Sequence, residues 1–232
     1  MLAAMQTKQH TRGVPQGTPP HLPRPDALDL LEQFGTTVTV QRTHEIYGQG
    51  EPTKFCWRVL SGCARTVKYL EDGRRYIGDF VWPGDLLGMD DLDLHDFGAE
   101  SVTNMTLRRY PRRMVEALAQ SNAALALRLR TLAAVNLRHA YQQMTLLART
   151  SATERIAAFI LDMHRRSTAT DRRILYVPMS RTDIADYLGL SIETVCRSLA
   201  KLRRDGIVEP SQSGFELRNR PAMLELVHDS QY

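Results

Sequence analysis

The stretch MSRTDIADYLGLSIETVCRSLAKLRRDGIVEPSQSGFELRN, Met179 to Asn219, restricts the possible folds more than any other part of the chain. Ser180 is placed to cap a helix whose first turn carries Asp183, where a carboxylate meets the positive end of the helix dipole. Ile184, Ala185 and Leu188 give that helix an apolar face. Gly189 follows, the residue type that turns left-handed without a Cβ penalty and so ends helices. Ser191 then caps a second helix that runs to another glycine, Gly206. Two short helices joined by a three-residue turn with glycine make a helix-turn-helix. After it, IVE and FELR flank PSQSG, a hairpin signal that reads as a wing.

At about 100° per residue, Val195, Leu199 and Leu202 fall on one side of the second helix and anchor it. Glu193, Cys196, Arg197, Ala200 and Arg204 fall on the opposite side, with Lys201 at its edge. The cations fit phosphates, which give affinity without sequence information. A carboxylate repels phosphate, so Glu193 at the leading end needs another target. The N4 amino group of cytosine in the major groove is one, and the helix N-terminus itself is another. Arg197, one turn on, can bond guanine O6 and N7 or a phosphate. The expected partner is double-stranded DNA. Ser180, Arg181 and Ser191, at the leading ends of the two helices, join the expected DNA-binding set. Cys196 reads as a small residue tolerated beside the groove; oxidation there would instead add bulk and negative charge against DNA.

Charge totals add little. The net charge is +4 over 232 residues, and from residue 151 onward twelve Lys and Arg face eleven Asp and Glu. A nucleic-acid role therefore rests on where the charges lie. An apolar fraction of 43% and a charged fraction of 24% are ordinary for a globular chain. No apolar run approaches the roughly 18 residues of a membrane helix, and the N-terminus lacks a signal-peptide pattern. The expected location is the cytoplasm, with no membrane contact.

Four regions follow. Residues 1–25, with five prolines from Pro15 to Pro25, read as a disordered leader. Residues 26–111 open on a short helix, DALDLLEQF, with Asp26 near its N-cap. They continue as β-rich runs: TVTVQ, FCWRVLSG, ARTVKYLEDGRRYIGDF and ESVTNMTLRRYP. Asp72–Gly73 marks a hairpin turn, and short strands at this spacing predict a sandwich or jelly-roll barrel. Residues 112–150 read as helix, since proline and glycine vanish after Pro111. Residues 151–232 form the winged helix-turn-helix domain. Its first helix starts at Ser151 with Glu154 in capping-box spacing, buries Ile156, Phe159, Ile160 and Met163, and leads to a short ILYVP strand.

The central helix carries two stripes. Ala133, Leu137, Ala140, Met144 and Leu147 are spaced four-three-four-three, an a/d heptad seam. Leu125, Leu129, Leu132 and then Asn136 form the second. A helix apolar on two sides needs two partners. The expectation is that one stripe meets the β-domain and the seam meets a second copy, giving a homodimer without a ligand. The alternative buries both stripes in one monomer.

Cys56, Cys63 and Cys196 are too few for a disulfide framework or a four-thiolate cluster. Cys56 and Cys63 read as buried strand residues. His44, His95, His139 and His164 are scattered, and a haem-sensing reading would need one of them as an axial ligand. No phosphate loop, nucleophile–base pair or metal-ligand spacing marks an enzyme. No cofactor is expected.

Taken together, these motifs resemble the CRP/FNR family of bacterial transcription regulators, and within it the FixK-type members. EDGRRYIGDFVWPGDLLG is similar to the family's sensor-domain core, ATERIAAF to the helix leading into its DNA-binding domain, and DIADYLGLSIETVCRSLAKLRRDGIV to its winged helix-turn-helix. The resemblance implies an α+β chain: an N-terminal β jelly-roll of cyclic-nucleotide-binding type, a long central dimerisation helix, and a C-terminal winged helix-turn-helix. It implies contact with RNA polymerase and control of genes for low-oxygen respiration. The family's E-x-x-x-R element falls on Glu193 and Arg197 and implies reading of a TGA core. Ile192, where cAMP-receptor-type members carry Arg, implies a TTGA-type inverted repeat. Two departures stand out. The leader has no cysteine cluster for iron–sulfur sensing. Gly84-Asp85-Leu86 is followed by no arginine before Ser101 to hold a cyclic phosphate, while Asp85, Asp90, Asp91, Asp93 and Asp96 crowd the region. FixK-type members typically act without a small-molecule effector. The alternatives are an effector-gated sensor of the same family, using haem or another small molecule, and a repressor that blocks promoters. The loop from Gly84 to Asp91 resembles a polymerase-contacting region.

Overall fold

The computed structural model describes residues 26–90, 93–148, 151–167, 173–212 and 214–228. The proline-rich leader, residues 1–25, and Asp91 lie outside the described residues.

A 3₁₀ helix, Ala27–Phe34, begins where Asp26 accepts the Leu28 N–H at 3.2 Å. Among the described residues eight strands follow: β1 (Thr36–Val40), β2 (Glu45–Tyr47), β3 (Phe55–Ser61), β4 (Ala64–Tyr69), β5 (Arg75–Val81), β6 (Leu86–Leu87), β7 (Gly98–Ser101) and β8 (Met105–Pro111). They form two antiparallel four-stranded sheets, ordered β1-β8-β3-β6 and β2-β7-β4-β5. The alternating strands turn one face inward, and Tyr47, Trp57, Val59, Val81, Leu87, Met105 and Leu107 fill the space between them. At the expected β4–β5 hairpin, Gly73 takes φ +81° and the Asp72 side chain accepts the Arg74 N–H at 3.0 Å. Cys56 is buried in β3, and burial pushes its thiol up to about 12. Cys63 is also buried but sits in the turn between β3 and β4 rather than in a strand.

The helical stretch after Pro111 is two helices. α1 (Arg112–Ser121) ends at Asn122, whose extended backbone and side chain cap α2 (Ala123–Leu147) by accepting the Leu125 N–H at 3.0 Å. α2 buries Leu125 and Leu132, with Leu129 partly covered, against Leu28, Leu31, Tyr110 and Val115. Asn136, expected to extend this stripe, is exposed.

The C-terminal region comprises α3 (Ala152–Arg166), β9 (Ile174–Tyr176), α4 (Arg181–Leu188), α5 (Ile192–Arg204), β10 (Val208–Ser211), β11 (Gly214–Leu217) and α6 (Arg220–His228). Ser151 caps α3 at the Glu154 N–H. The wing hairpin β10–β11 gains β9 as a third antiparallel strand, an arrangement the sequence pattern leaves open. Its core does not stop at the domain edge. Phe80 of β5 packs on Phe159 of α3 and Tyr187 of α4, with ring centroids 6.0 and 5.2 Å away.

Candidate DNA-binding surface

α4 is built from its first residue. Ser180 Oγ accepts the Asp183 N–H and Asp183 Oδ2 accepts the Ser180 N–H, both at 3.0 Å, a complete capping box. Gly189 ends the helix at φ +61° and ψ 41°, and the chain reverses within three residues. Ser191 Oγ then accepts the Thr194 N–H at 3.2 Å and starts α5. Val195, Leu199 and Leu202 are buried, as is Ser198. That burial turns Glu193, Cys196, Arg197, Ala200, Lys201 and Arg204 to solvent, with Ile192 44% exposed at the leading end.

The individual groups differ. The Glu193 carboxyl is held below the ordinary range by its own backbone N–H first, then by the Ser191 hydroxyl and the Arg197 charge. It is therefore an acceptor at neutral pH, as base reading and helix capping both need. Arg197 donates to Thr194 Oγ1 at 3.2 Å, which aims its guanidinium along the exposed face. Arg203 instead pairs with Glu209 of β10 at 2.9 Å and ties the helix to the wing. Of the expected set, Ser180 and Ser191 are exposed at the helix starts. Arg181 is half-buried, its guanidinium 5.1 Å from the Phe215 ring centroid of the wing.

On α2, Ala133, Leu137, Ala140 and Met144 are exposed and Leu147 is half-buried. Leu137 at 54% and Met144 at 65% leave a row of apolar side chains with no cover from the described residues of their own chain. Facing Asn136 and Ala140 is a cavity of about 210 Å³ lined by Tyr47, Asp79, Asp85 and Asp90, among others. Of the acidic residues expected to crowd this region, Asp85 and Asp90 line the cavity, while Asp96 turns away to Lys68 at 2.6 Å. Asp93 lines a separate surface groove with Lys54 and Arg113, and Asp79 is an addition from β5. The histidines do not converge: His95 stacks on Tyr47 at 4.0 Å and bonds Asp90 at 2.9 Å, whereas His139 lies 3.8 Å from Asp79.

Residues 154–226 match the profile of the Crp-like helix-turn-helix domain, and residues 37–122 that of the cyclic nucleotide-binding domain. The nitrogen fixation regulation protein FixK of Azorhizobium caulinodans is 38% identical over 201 residues, covering 85% of this chain and 81% of its own. The chain belongs to the CRP/FNR family. The FixK protein of Bradyrhizobium diazoefficiens is 36% identical over 86% of each chain. The structure of FixK2 from Bradyrhizobium japonicum superposes with a TM-score of 0.76 at 38% identity, over 83% of this chain and 96% of that one. The protein is thus a DNA-binding transcription regulator of the CRP/FNR family, of FixK type, and the helix-turn-helix described above is its DNA-binding element. No described helix is long and apolar enough to cross a membrane.

This CRP/FNR chain also ties its two domains together through charges that sequence patterning does not reveal. Arg65 and Arg75 of the β-domain reach Asp183 at 2.7 and 2.9 Å, and Arg75 reaches Asp186 at 2.7 Å. Arg166, at the end of α3, grips both Asp79 oxygens at 2.7 and 3.0 Å. The one available signal was Arg166 itself, a cation closing an amphipathic helix beside buried positions. Its partner, 87 positions away, carries no mark in the sequence.

Proposed function

We propose that this regulator is a homodimeric activator of low-oxygen-type genes that reads a TTGA-type inverted repeat without a small-molecule effector. Glu193 and Arg197 stand one turn apart on the exposed face of α5 and supply an acceptor for cytosine N4 and a bidentate donor for guanine. Ile192 leads them and is suited to contact with a thymine methyl. Lys201, Arg204, Arg181, Ser180 and Ser191 serve the phosphates, and Cys196 lies against the groove. The α2 seam of Ala133, Leu137, Ala140, Met144 and Leu147 takes a second copy, which places two recognition helices in successive major grooves. The protein acts in the cytoplasm, where it meets promoter DNA and RNA polymerase.

Effector independence rests on the cavity. A cyclic phosphate entering it would face Asp79, Asp85 and Asp90. Relatives named as an anaerobic regulatory protein and as transcriptional activators support the activator reading. The observation that carries the whole is the pairing of an outward Glu193–Arg197 face with an uncovered a/d row on α2. Selection of bound sites from random DNA by purified, ligand-free protein tests it. The expected product is an inverted TTGA-type repeat with half-sites one helical turn apart. Recovery of single half-sites, a requirement for added haem or nucleotide, or a monomer at micromolar concentration in the ultracentrifuge would overturn it.

A further inference from the structure

Strand β5 is the one β-domain element that meets α2, α3 and α4 through directed polar contacts among the described residues. Arg75 bonds Asp186 Oδ2 through Nε at 2.7 Å and Asp183 Oδ1 through Nη2 at 2.9 Å. Arg65, from neighbouring β4, adds a bond to the same Asp183 oxygen at 2.7 Å and is itself held by Glu100 at 2.6 Å. The second Asp183 oxygen is committed to the Ser180 N–H in the α4 capping box. One buried carboxylate, 3% exposed, therefore both starts the first helix of the helix-turn-helix and fastens it to the β-domain. Two residues along β5, the Ile77 carbonyl accepts from Gln143 of α2, and the same amide reaches the Tyr187 carbonyl of α4. Two further on, Asp79 holds Arg166 of α3.

We propose that Arg75 is a positioning residue for DNA binding: by holding Asp183 and Asp186 it fixes the angle of the helix-turn-helix against the β-domain and so sets the separation of the two recognition helices in the dimer. The inference rests on the dimer reading above. α2 carries the seam, Gln143 links α2 both to β5 and to the Tyr187 carbonyl of α4, and Arg75 links β5 to α4, so one path from dimer axis to recognition helix runs through this strand. The Phe80–Phe159–Tyr187 cluster keeps the domains in contact, but apolar burial is non-directional and selects no angle. A planar guanidinium bonded to two carboxylates is directional and does. In a regulator that responds to no effector, a fixed angle must come from the chain itself.

Three duplex probes test this at low salt: a single half-site, an inverted repeat at the selected spacing, and repeats one or two base pairs longer or shorter. For the wild-type protein, linkage of two sites favours the correctly spaced repeat over the half-site by roughly 10²–10⁴-fold. Arg75→Glu is expected to bind the half-site as the wild type does, to lose about tenfold or more of that repeat advantage, and to discriminate less among spacings. The exchange Arg75→Glu with Asp186→Arg is expected to restore both affinity and spacing preference. The inference is overturned if Arg75→Glu keeps the spacing preference. It is equally overturned if half-site and repeat affinities fall together, or if the exchange restores nothing, since either result assigns Arg75 to general stability. A wild-type protein without any repeat advantage would instead overturn the dimer reading.

Discussion

Glu193 is a negative charge at the front of a helix proposed to meet a polyanion. Its carboxyl, held below the ordinary range by its own N–H, Ser191 and Arg197, stays ionised throughout the neutral range. A lowered folded value means that its helix-capping contribution is present at neutral pH and is lost only as pH falls through that value. Base reading should accordingly show no pH dependence between about pH 6 and 8, well above the ordinary Glu range. Glu193→Ala is expected to cost roughly tenfold to a hundredfold at one base pair and little at the others. Competition binding with single-position variants of the site checks this, and an equal loss on every sequence would leave Glu193 with the capping role alone. The exposed set on α5 was legible because apolar positions at helical spacing decide which side faces out. Arg203 belongs to the same run of cations, but Glu209 of the wing claims it. Arg181 was placed at the correct helix start, yet its stacking on Phe215 could not be read before the wing had a position.

At the scale of elements, punctuation residues were the legible part. Gly189 was expected to be left-handed and stands at φ +61°. A Cβ there would meet nothing closer than a Leu147 methyl at 4.0 Å, so Gly189→Ala tests backbone strain rather than a clash. It should lower stability by about 1–2 kcal/mol, the cost of the left-handed conformation for an L-residue, measured as a shift in the urea midpoint with an unchanged slope. The break at Asn122 was not legible, because it is a capped junction rather than a proline or glycine. Its signature is an N-cap residue type before an alanine- and leucine-rich run, easily lost in a continuous apolar pattern. Asn122→Ala should cost about 1 kcal/mol and loosen the start of α2, seen as faster amide exchange at Leu125 and Ala126. The ILYVP strand was legible but its place in the wing was not: β9 pairs with a segment some forty residues later, and local propensity names a strand without naming its neighbour.

Across the whole molecule, the proposed dimer seam and the interdomain ties were legible to different degrees. The α2 seam is a local heptad, so sequence spacing predicts an apolar row, and the described residues leave most of that row exposed. Leu137→Glu is expected to shift the protein from dimer to monomer in the ultracentrifuge while leaving its helix content unchanged. The interdomain ties join residues 87 to 118 positions apart, and one charge does not announce which opposite charge it will meet. Asp79 shows what such a tie contributes. Burial acts to raise its carboxyl, but His139 and Arg166 outweigh burial and hold it below the ordinary value of 3.8. A depressed folded value makes the tie stabilising above the unfolded value, with the contribution lost as pH falls through the folded one. The Arg166 side chain is only 8% exposed, so neutralising Asp79 leaves a buried charge with only Asp162, at 3.8 Å, and the Phe80 carbonyl. Asp79→Asn keeps the shape and removes the charge. Because the Asp79 side chain remains 27% exposed, the cost should fall toward the lower end of the ~3–5 kcal/mol typical of breaking a buried pair. With the apolar cluster shared by β5, α3 and α4, the wild type is expected to melt as one cooperative unit near neutral pH, whereas Asp79→Asn should melt earlier or in two steps by calorimetry. The gap between the two proteins should close as pH is lowered below the carboxylate range, since acid then does to the wild type what the substitution has already done. Equal melting at neutral pH would show that the Asp79–Arg166 pair adds no net stability.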